Sequence, residues 1–166
     1  FGCLVGSEMC IRDSYRSKYF GEALQKRLEY FSNGQIKSET NYRQEQKNGK
    51  YVSYFNNGSM STEGEFKNNK KNGRWAWLGK SGKLDSIFHY KNGRLNGSYE
   101  IYNRGRISIK QNYKSGRLNG KITEFYANGN IKNKGSYLDD APNNKWEWFS
   151  DNLSLIHISE PTRQPN

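Results

Sequence analysis

Several residue types are nearly missing from this chain. It has two cysteines, two histidines and three prolines in 166 residues. Both cysteines, Cys3 and Cys10, stand within the first ten positions. Over the body of the chain, a disulfide framework, a Cys/His zinc site and a thiol nucleophile therefore lack their residues. No apolar run approaches the roughly 20 residues that a membrane-spanning helix needs. Acidic residues are scarce beside basic ones, 16 Asp+Glu against 27 Lys+Arg, which gives a net charge of +11 at pH 7. What the chain has in quantity is glycine, 17 residues, and aromatic side chains, 14% of the total. That combination argues for strands and turns over helices.

The two ends are related to each other in an unusual way. Leu4–Ser14 reads LVGSEMCIRDS and Leu153–Arg163 reads LSLIHISEPTR. One back-translation of the first stretch has a reverse complement that encodes the second. Peptide ends have no physical reason to be antisense copies of one another, and the DNA resembles the transposase adapter ligated to fragments in sequencing libraries. Residues 1–14 and 153–166 are therefore expected to be adapter-derived and to lie outside the fold. Setting them aside removes Cys3, Cys10 and His157 and raises the net charge by one unit. It also implies that the native ends lie beyond this chain, so compartment cannot be read from its first residues.

Between the ends the sequence repeats. Gly34, Gly58, Gly82, Gly105 and Gly129 each follow an aromatic or apolar cluster, at spacings of 24, 24, 23 and 24 residues. Gly49, Gly73, Gly97 and Gly120, continued by Asn144, precede the clusters with the same spacing. Tyr42, Phe66, Tyr90, Tyr113 and Tyr137 form a third series, and Ile36, Met60, Leu84, Ile107 and Ile131 a fourth. Four registers in phase over five units define a repeat array, which decides the architecture before any local signal is weighed.

Each unit divides into two short runs. In Lys50–Phe55 and Arg74–Trp77 the aromatics alternate, which is the period of a pleated strand. The Asn-Gly doublets favour positive φ, so both glycine series are expected at tight hairpin turns. Only residues 22–29 could pass as helix, and 26–31 aligns with the first run of a unit. The expected fold is all-β, an elongated antiparallel meander of hairpin repeats. Columns such as Tyr51, Trp75, Tyr99, Ile122 and Trp146, and Tyr54, Leu78, Tyr102, Phe125 and Phe149, would stack across neighbouring strands. If the adapter truncates the array, its last edge should fray at Asp151–Asn152 and invite edge-to-edge self-association.

The pattern G-[KR]-[YW]-x-x-[YF]-x-x-x-G-x-[IL] resembles the MORN repeat, and most closely its bacterial variant identified with antitoxins of the YwqK type. The resemblance covers residues 26–152. It departs from the pattern at Gly79, which stands where the cluster has its second aromatic, and at Asn144. The glycine that should follow FSDN is replaced by Leu153. The resemblance implies further repeats beyond Asn152 and makes residues 15–25 the remnant of an earlier unit. It also implies a non-catalytic scaffold that binds another macromolecule, in the antitoxin case by covering a partner protein. An adaptor for anionic lipid surfaces and a nucleic-acid binder are the alternatives.

No cofactor, metal or catalytic constellation is expected. His89 has no evident nucleophilic or orienting partner and reads as a surface strand residue. Asp139-Asp140-Ala141-Pro142 reads as turn chemistry. Trp75 and Trp77, like Trp146 and Trp148, stand two apart and share a face. That face is either the buried one or an exposed strip that grips a peptide, a glycan or bases. Lys67, Lys70, Lys71, Arg74, Lys91, Arg94, Lys114, Arg117 and Lys121 are expected to form a basic ridge along one edge, serving either an anionic partner or edge protection. Lys70, Lys71, Arg74, Arg94, Arg117, Lys121, Trp75 and Trp77 are thus the candidate binding residues.

Overall fold

The computed structural model describes residues 15–20 and 23–160. These form thirteen strands in one sheet, in sequence order and antiparallel throughout. They are β1 (Tyr15–Phe20), β2 (Ala23–Tyr30), β3 (Ile36–Arg43), β4 (Gln46–Tyr54), β5 (Met60–Lys67), β6 (Lys70–Leu78), β7 (Leu84–Lys91), β8 (Arg94–Asn103), β9 (Arg106–Lys114), β10 (Arg117–Phe125), β11 (Ile131–Leu138), β12 (Ala141–Phe149) and β13 (Leu155–Ser159). The meander expected from the repeat is therefore the observed fold, and no helix occurs among the described residues. Residues 1–14 and 161–166 lie outside the description. Residues 15–20, expected as a remnant of an earlier unit, form β1 and pair with β2.

Two kinds of turn alternate along the sheet. The first glycine series closes three-residue loops. The Phe31 N–H donates to the Gln35 carbonyl and the Gly34 N–H to the Phe31 carbonyl, and the loops at Phe55–Ser59, Gly79–Lys83 and Tyr126–Asn130 repeat both bonds. Gly34, with φ of 82°, has open space where a Cβ would stand, so backbone conformation alone selects glycine there. The fourth loop is shorter: Asn103 pairs with Arg106 across Arg104 and Gly105, both at positive φ. That is a two-residue hairpin turn, and it accounts for the single 23-residue gap.

The second glycine series does not lie at turns. Gly49, Gly73, Gly97 and Gly120 sit inside β4, β6, β8 and β10, at φ of 98°, 69°, 114° and 107°. Each marks a bulge. Asn41 on β3 faces Asn48, Gly49 and Lys50 between the pairs Thr40–Tyr51 and Tyr42–Lys47, so two extra residues are taken up without breaking the ladder. Asn144 does the same in β12 at φ of 61°. The true turns come a few residues earlier, at Gln44-Glu45, Asn68-Asn69, Asn92-Gly93, Ser115-Gly116 and Asp139-Asp140, with positive φ at both positions. Asn-Gly serves bulge and turn alike, because both need a left-handed residue.

Consecutive two-residue turns are stitched together. The backbone N–H of Asn69 donates to Lys47 O at 2.9 Å, and Asn69 Oδ1 accepts from the Lys47 N–H at 2.8 Å. Asp140 repeats both bonds with Leu118, at 3.0 and 2.7 Å. Gly93 and Gly116 make the backbone bond alone, to Lys71 O and Leu95 O.

The expected frayed edge at Asp151–Asn152 is not where the sheet ends. The Ser150–Ser154 loop repeats the three-residue pattern, with Leu153 at φ of 70° in the glycine position, and β13 pairs with β12. An unpaired strand edge accepts any extended segment through backbone bonds. Leu155, Ile156 and Ile158 remain exposed on the added strand.

A single sheet has no second layer to pack against. Among the described residues the buried apolar side chains are Val52, Trp75, Ala76 and Ile122. Stability is accordingly built strand against neighbouring strand.

Candidate binding surface

Strand alternation sorts the side chains onto two faces. One face carries a strip of touching rings, while Tyr54, Tyr102 and Phe149 lie on the other, against Glu39, Glu100 and Lys134. Tyr51 stacks on Trp75 at 5.5 Å, and Phe66 meets Trp75 edge-on at 5.0 Å. Trp75 and Trp77 lie 6.0 Å apart, Trp77 and Phe88 4.7 Å, and Phe88 stacks on Tyr99 at 3.9 Å and 6°. Tyr99 continues to Tyr113. Ile122 and Gln111 interrupt the strip, and a second cluster follows in Tyr137, Trp146 and Trp148, flanked by His157. Burial raises the phenol pKa of Tyr90 and Tyr113.

The other face carries ion pairs: Lys26 with Glu39, Arg74 with Glu63 at 2.9 Å, Lys110 with Glu100 at 3.3 Å and Lys134 with Glu147 at 2.8 Å. The Lys26 contact is the largest influence holding the Glu39 carboxyl below its ordinary range, and Tyr54 OH also donates to it. Exposed pairs of this kind contribute little to stability, about 0–1 kcal/mol each.

The eight candidate binding residues divide three ways. Lys70, Arg94 and Arg117 lie together on the margin of two-residue turns, each directly opposite another cation: Lys67 with Lys70, Lys91 with Arg94, Lys114 with Arg117. All six are exposed, and among the described residues none makes an ion pair. Successive pairs are two strands apart, about 10 Å. Arg74 and Lys121 stand instead beside the bulges, exposed, with Arg74 engaged by Glu63.

Lys71, Trp75 and Trp77 form the third group, and they face inward on one another. Lys71 Nζ lies 4.5 Å from the Trp75 ring centre, 4.9 Å from Trp77 and 5.2 Å from Tyr90. Burial lowers its pKa. Trp75 is 2% exposed, so it cannot touch a partner as the sheet stands. It sinks this far because the cross-strand neighbour is Gly64, where a Cβ would come within 2.3 Å of the indole. Gly135 stands under Trp146 in the same way.

His89 has a partner after all. Its Nδ1 lies 2.9 Å from Ser98 Oγ and 3.1 Å from Ser98 O. A protonated Nδ1 donates to the carbonyl; an unprotonated one accepts from the hydroxyl. Asn112 reaches Lys121 O across the equivalent bulge, whereas Ser136 Oγ donates to Asn143 O, its register partner seven residues on. Residues nine apart across a bulge were the signal in the sequence. The opposite margin holds a shallow depression of about 430 Å3, lined by residues including Phe31, Tyr54, Phe55 and Lys80.

Geometry thus defines an open repeat protein with a basic margin, a ringed face and an ion-paired face. Residues 26–44, 47–68 and 118–139 match the family model of the MORN repeat variant. Each matched segment spans the two strands around one loop between bulge-bearing units. Repeats of this kind are generally non-enzymatic binding and scaffold modules. No curated protein matches the chain. Among solved structures, a GtfA/B complex bound to UDP and GlcNAc is similar over 69% of this chain and 22% of that chain, at 16% identity and a TM-score of 0.28. A likeness at that level bears on neither fold nor activity.

Proposed function

We propose that the chain is a non-catalytic binding scaffold that docks another protein along its basic margin. One observation carries this reading: six exposed cations stand in directly opposed pairs at three successive turns, with no ion pair among the described residues to relieve them. Like charges directly opposite are destabilising, and the acidic surface of a partner offsets that cost. The YwqK-type resemblance supports the finer reading, an antitoxin that masks a partner protein. Single-stranded nucleic acid fits less well, because it requires rings open beside the cations and Trp75 is shut inside the sheet. A flat anionic bilayer meets Asp139-Asp140 together with the cations, whereas a protein surface can set acidic groups against the three cation pairs alone.

The test is co-expression with the product of the adjacent gene, using photo-crosslinking residues at positions 70, 94 and 117 and, as controls, at 33 and 57. The margin positions should capture that protein, and the combined Lys67→Gln, Lys91→Gln and Lys114→Gln variant should lose the capture. Equal capture from both margins, or capture indifferent to the glutamines, overturns the reading.

A further inference from the structure

The array carries one aromatic arrangement twice and completes it differently. In the second unit Trp75 and Trp77 lie 6.0 Å apart at 33°, with Gly64 against Trp75; in the fifth, Trp146 and Trp148 lie 5.9 Å apart at 29°, with Gly135 against Trp146. The first copy is closed. Lys71 reaches back across the bulge and sets its ammonium over both indoles, and Trp75 Nε1 donates to Glu65 O at 3.1 Å. Lys47 holds the same column in the first unit, over Phe66, and Leu95 and Leu118 hold it in the next two.

In the fifth unit that column holds Pro142, which is exposed and whose ring is too short to cross an indole. Among the described residues, no cation that lies over a ring lies over Trp146 or Trp148. Both indoles are half-buried, and Trp146 Nε1 has no hydrogen-bond partner. The neighbouring cations Lys134 and Lys145 are engaged by Glu147. The turn leading into Pro142 is Asp139-Asp140, two negative charges at a margin that is basic in the three preceding units.

We infer that Trp146 and Trp148 form an open site for a cationic side chain, a lysine or arginine presented by a partner polypeptide. Lys71 is the built-in equivalent in the second unit and shows what chemistry the ring pair holds. The negative face of an indole attracts an ammonium or guanidinium group, most strongly where water is partly excluded. His157 closes the β13 flank of Trp148 at 5.2 Å, as Phe88 closes that of Trp77 at 4.7 Å. The inference rests on the reading of the array as a protein-binding module and names the chemistry of one contact.

The test is a tryptophan-fluorescence titration of the full chain with end-blocked tetralysine, with tetraglycine as control. Salt of about 0.15 M screens the long-range repulsion from the protein's positive charge. Tetralysine should give a saturable change that tetraglycine does not. Pro142→Lys, which supplies the missing plug, should weaken binding about tenfold, as should Trp148→Ala. Lys71→Ala should open the first copy and raise the stoichiometry. Circular dichroism identifies a variant that has lost its strands; if Trp148→Ala does so, Pro142→Lys decides the matter. No saturable change, or equal affinity in the parent chain and Pro142→Lys, overturns the site. Neither result touches the scaffold reading, which is judged by crosslinking at the other positions.

Discussion

Trp75 rests on Gly64: a methyl group built on the glycine would stand 2.3 Å from Cδ2 of the indole, inside any permitted contact. The two are cross-strand neighbours eleven residues apart, and the same interval recurs in every unit. It links Thr40 with Tyr51, Phe88 with Tyr99, Gln111 with Ile122 and Gly135 with Trp146. Where the ring is an indole, the neighbour has no side chain.

Gly64→Thr should therefore destabilise the array by about 1–3 kcal/mol through overpacking. The double variant Gly64→Thr with Trp75→Tyr copies the first unit's pair and should recover most of the loss. Urea denaturation of the two singles and the double checks this. A double variant no more stable than Gly64→Thr alone removes the pairing argument.

Leu153 occupies the place that glycine fills in the loops at Gly34, Gly58, Gly82 and Gly129, and does so at φ of 70°. A left-handed non-glycine residue costs roughly 1–2 kcal/mol. Leu153→Gly should make the last loop more stable by about that amount, read as slower amide exchange in β13 with no change in the central strands.

Gly93 and Gly116 make one bond to the preceding unit where Asn69 and Asp140 make two. Gly116→Asn offers the missing acceptor to the Leu95 N–H. The added Cβ meets only Arg94 Cβ, at 4.0 Å, and asparagine tolerates the left-handed region. The expected gain is about 0.5–1 kcal/mol, measured by thermal unfolding. Gly116→Ala supplies no acceptor and should lose stability instead.

Alkaline pH should loosen the sheet. Burial raises the phenol pKa of Tyr90, Tyr102 and Tyr113 above the ordinary 10.0. The unfolded chain then sheds these protons first. The associated stability is present in full below about pH 10 and is lost as pH rises through the folded-state values. Lys71 opposes this on the way up: its lowered pKa means that stability rises with pH in the range below its ordinary 10.5. Unfolding titrations between pH 8 and 12 should show a maximum that Tyr90→Phe with Tyr113→Phe moves upward.

The period and the meander were legible because each unit carries the same marks in the same order, and of the two expected columns the one holding Tyr51 and Trp75 brings rings together. The loops at Gly34, Gly58, Gly82, Gly105 and Gly129 were legible as well, whereas the turns at the other margin were not. Gly49, Gly73, Gly97 and Gly120 look like turn glycines because a bulge and a tight turn both demand a left-handed residue. The real turns hold Gln44-Glu45, Asn68-Asn69 or Asp139-Asp140, which share no letter pattern. The basic margin was legible as charge, although Arg74 and Lys121, which stand beside the bulges, and Lys71, which turns inward, were counted in it. The inward path of Lys71 depends on Trp75 being sunk over Gly64, a relation visible only when strands are placed side by side. Burial of Trp75 corrects its place among the binding residues for the same reason.

The two margins of the strip are fastened in different ways. Along one, the four turns from Asn68-Asn69 onward are tied backbone to backbone to the unit before, through Asn69, Gly93, Gly116 and Asp140. Along the other, neighbouring loops are linked by side chains, as when Arg106 reaches Ala127 O. A ribbon hemmed on one side bends as a fan does, pivoting on the hem and spreading at the free rim. The cations ride on the hem, where backbone bonds set the spacing from one turn to the next.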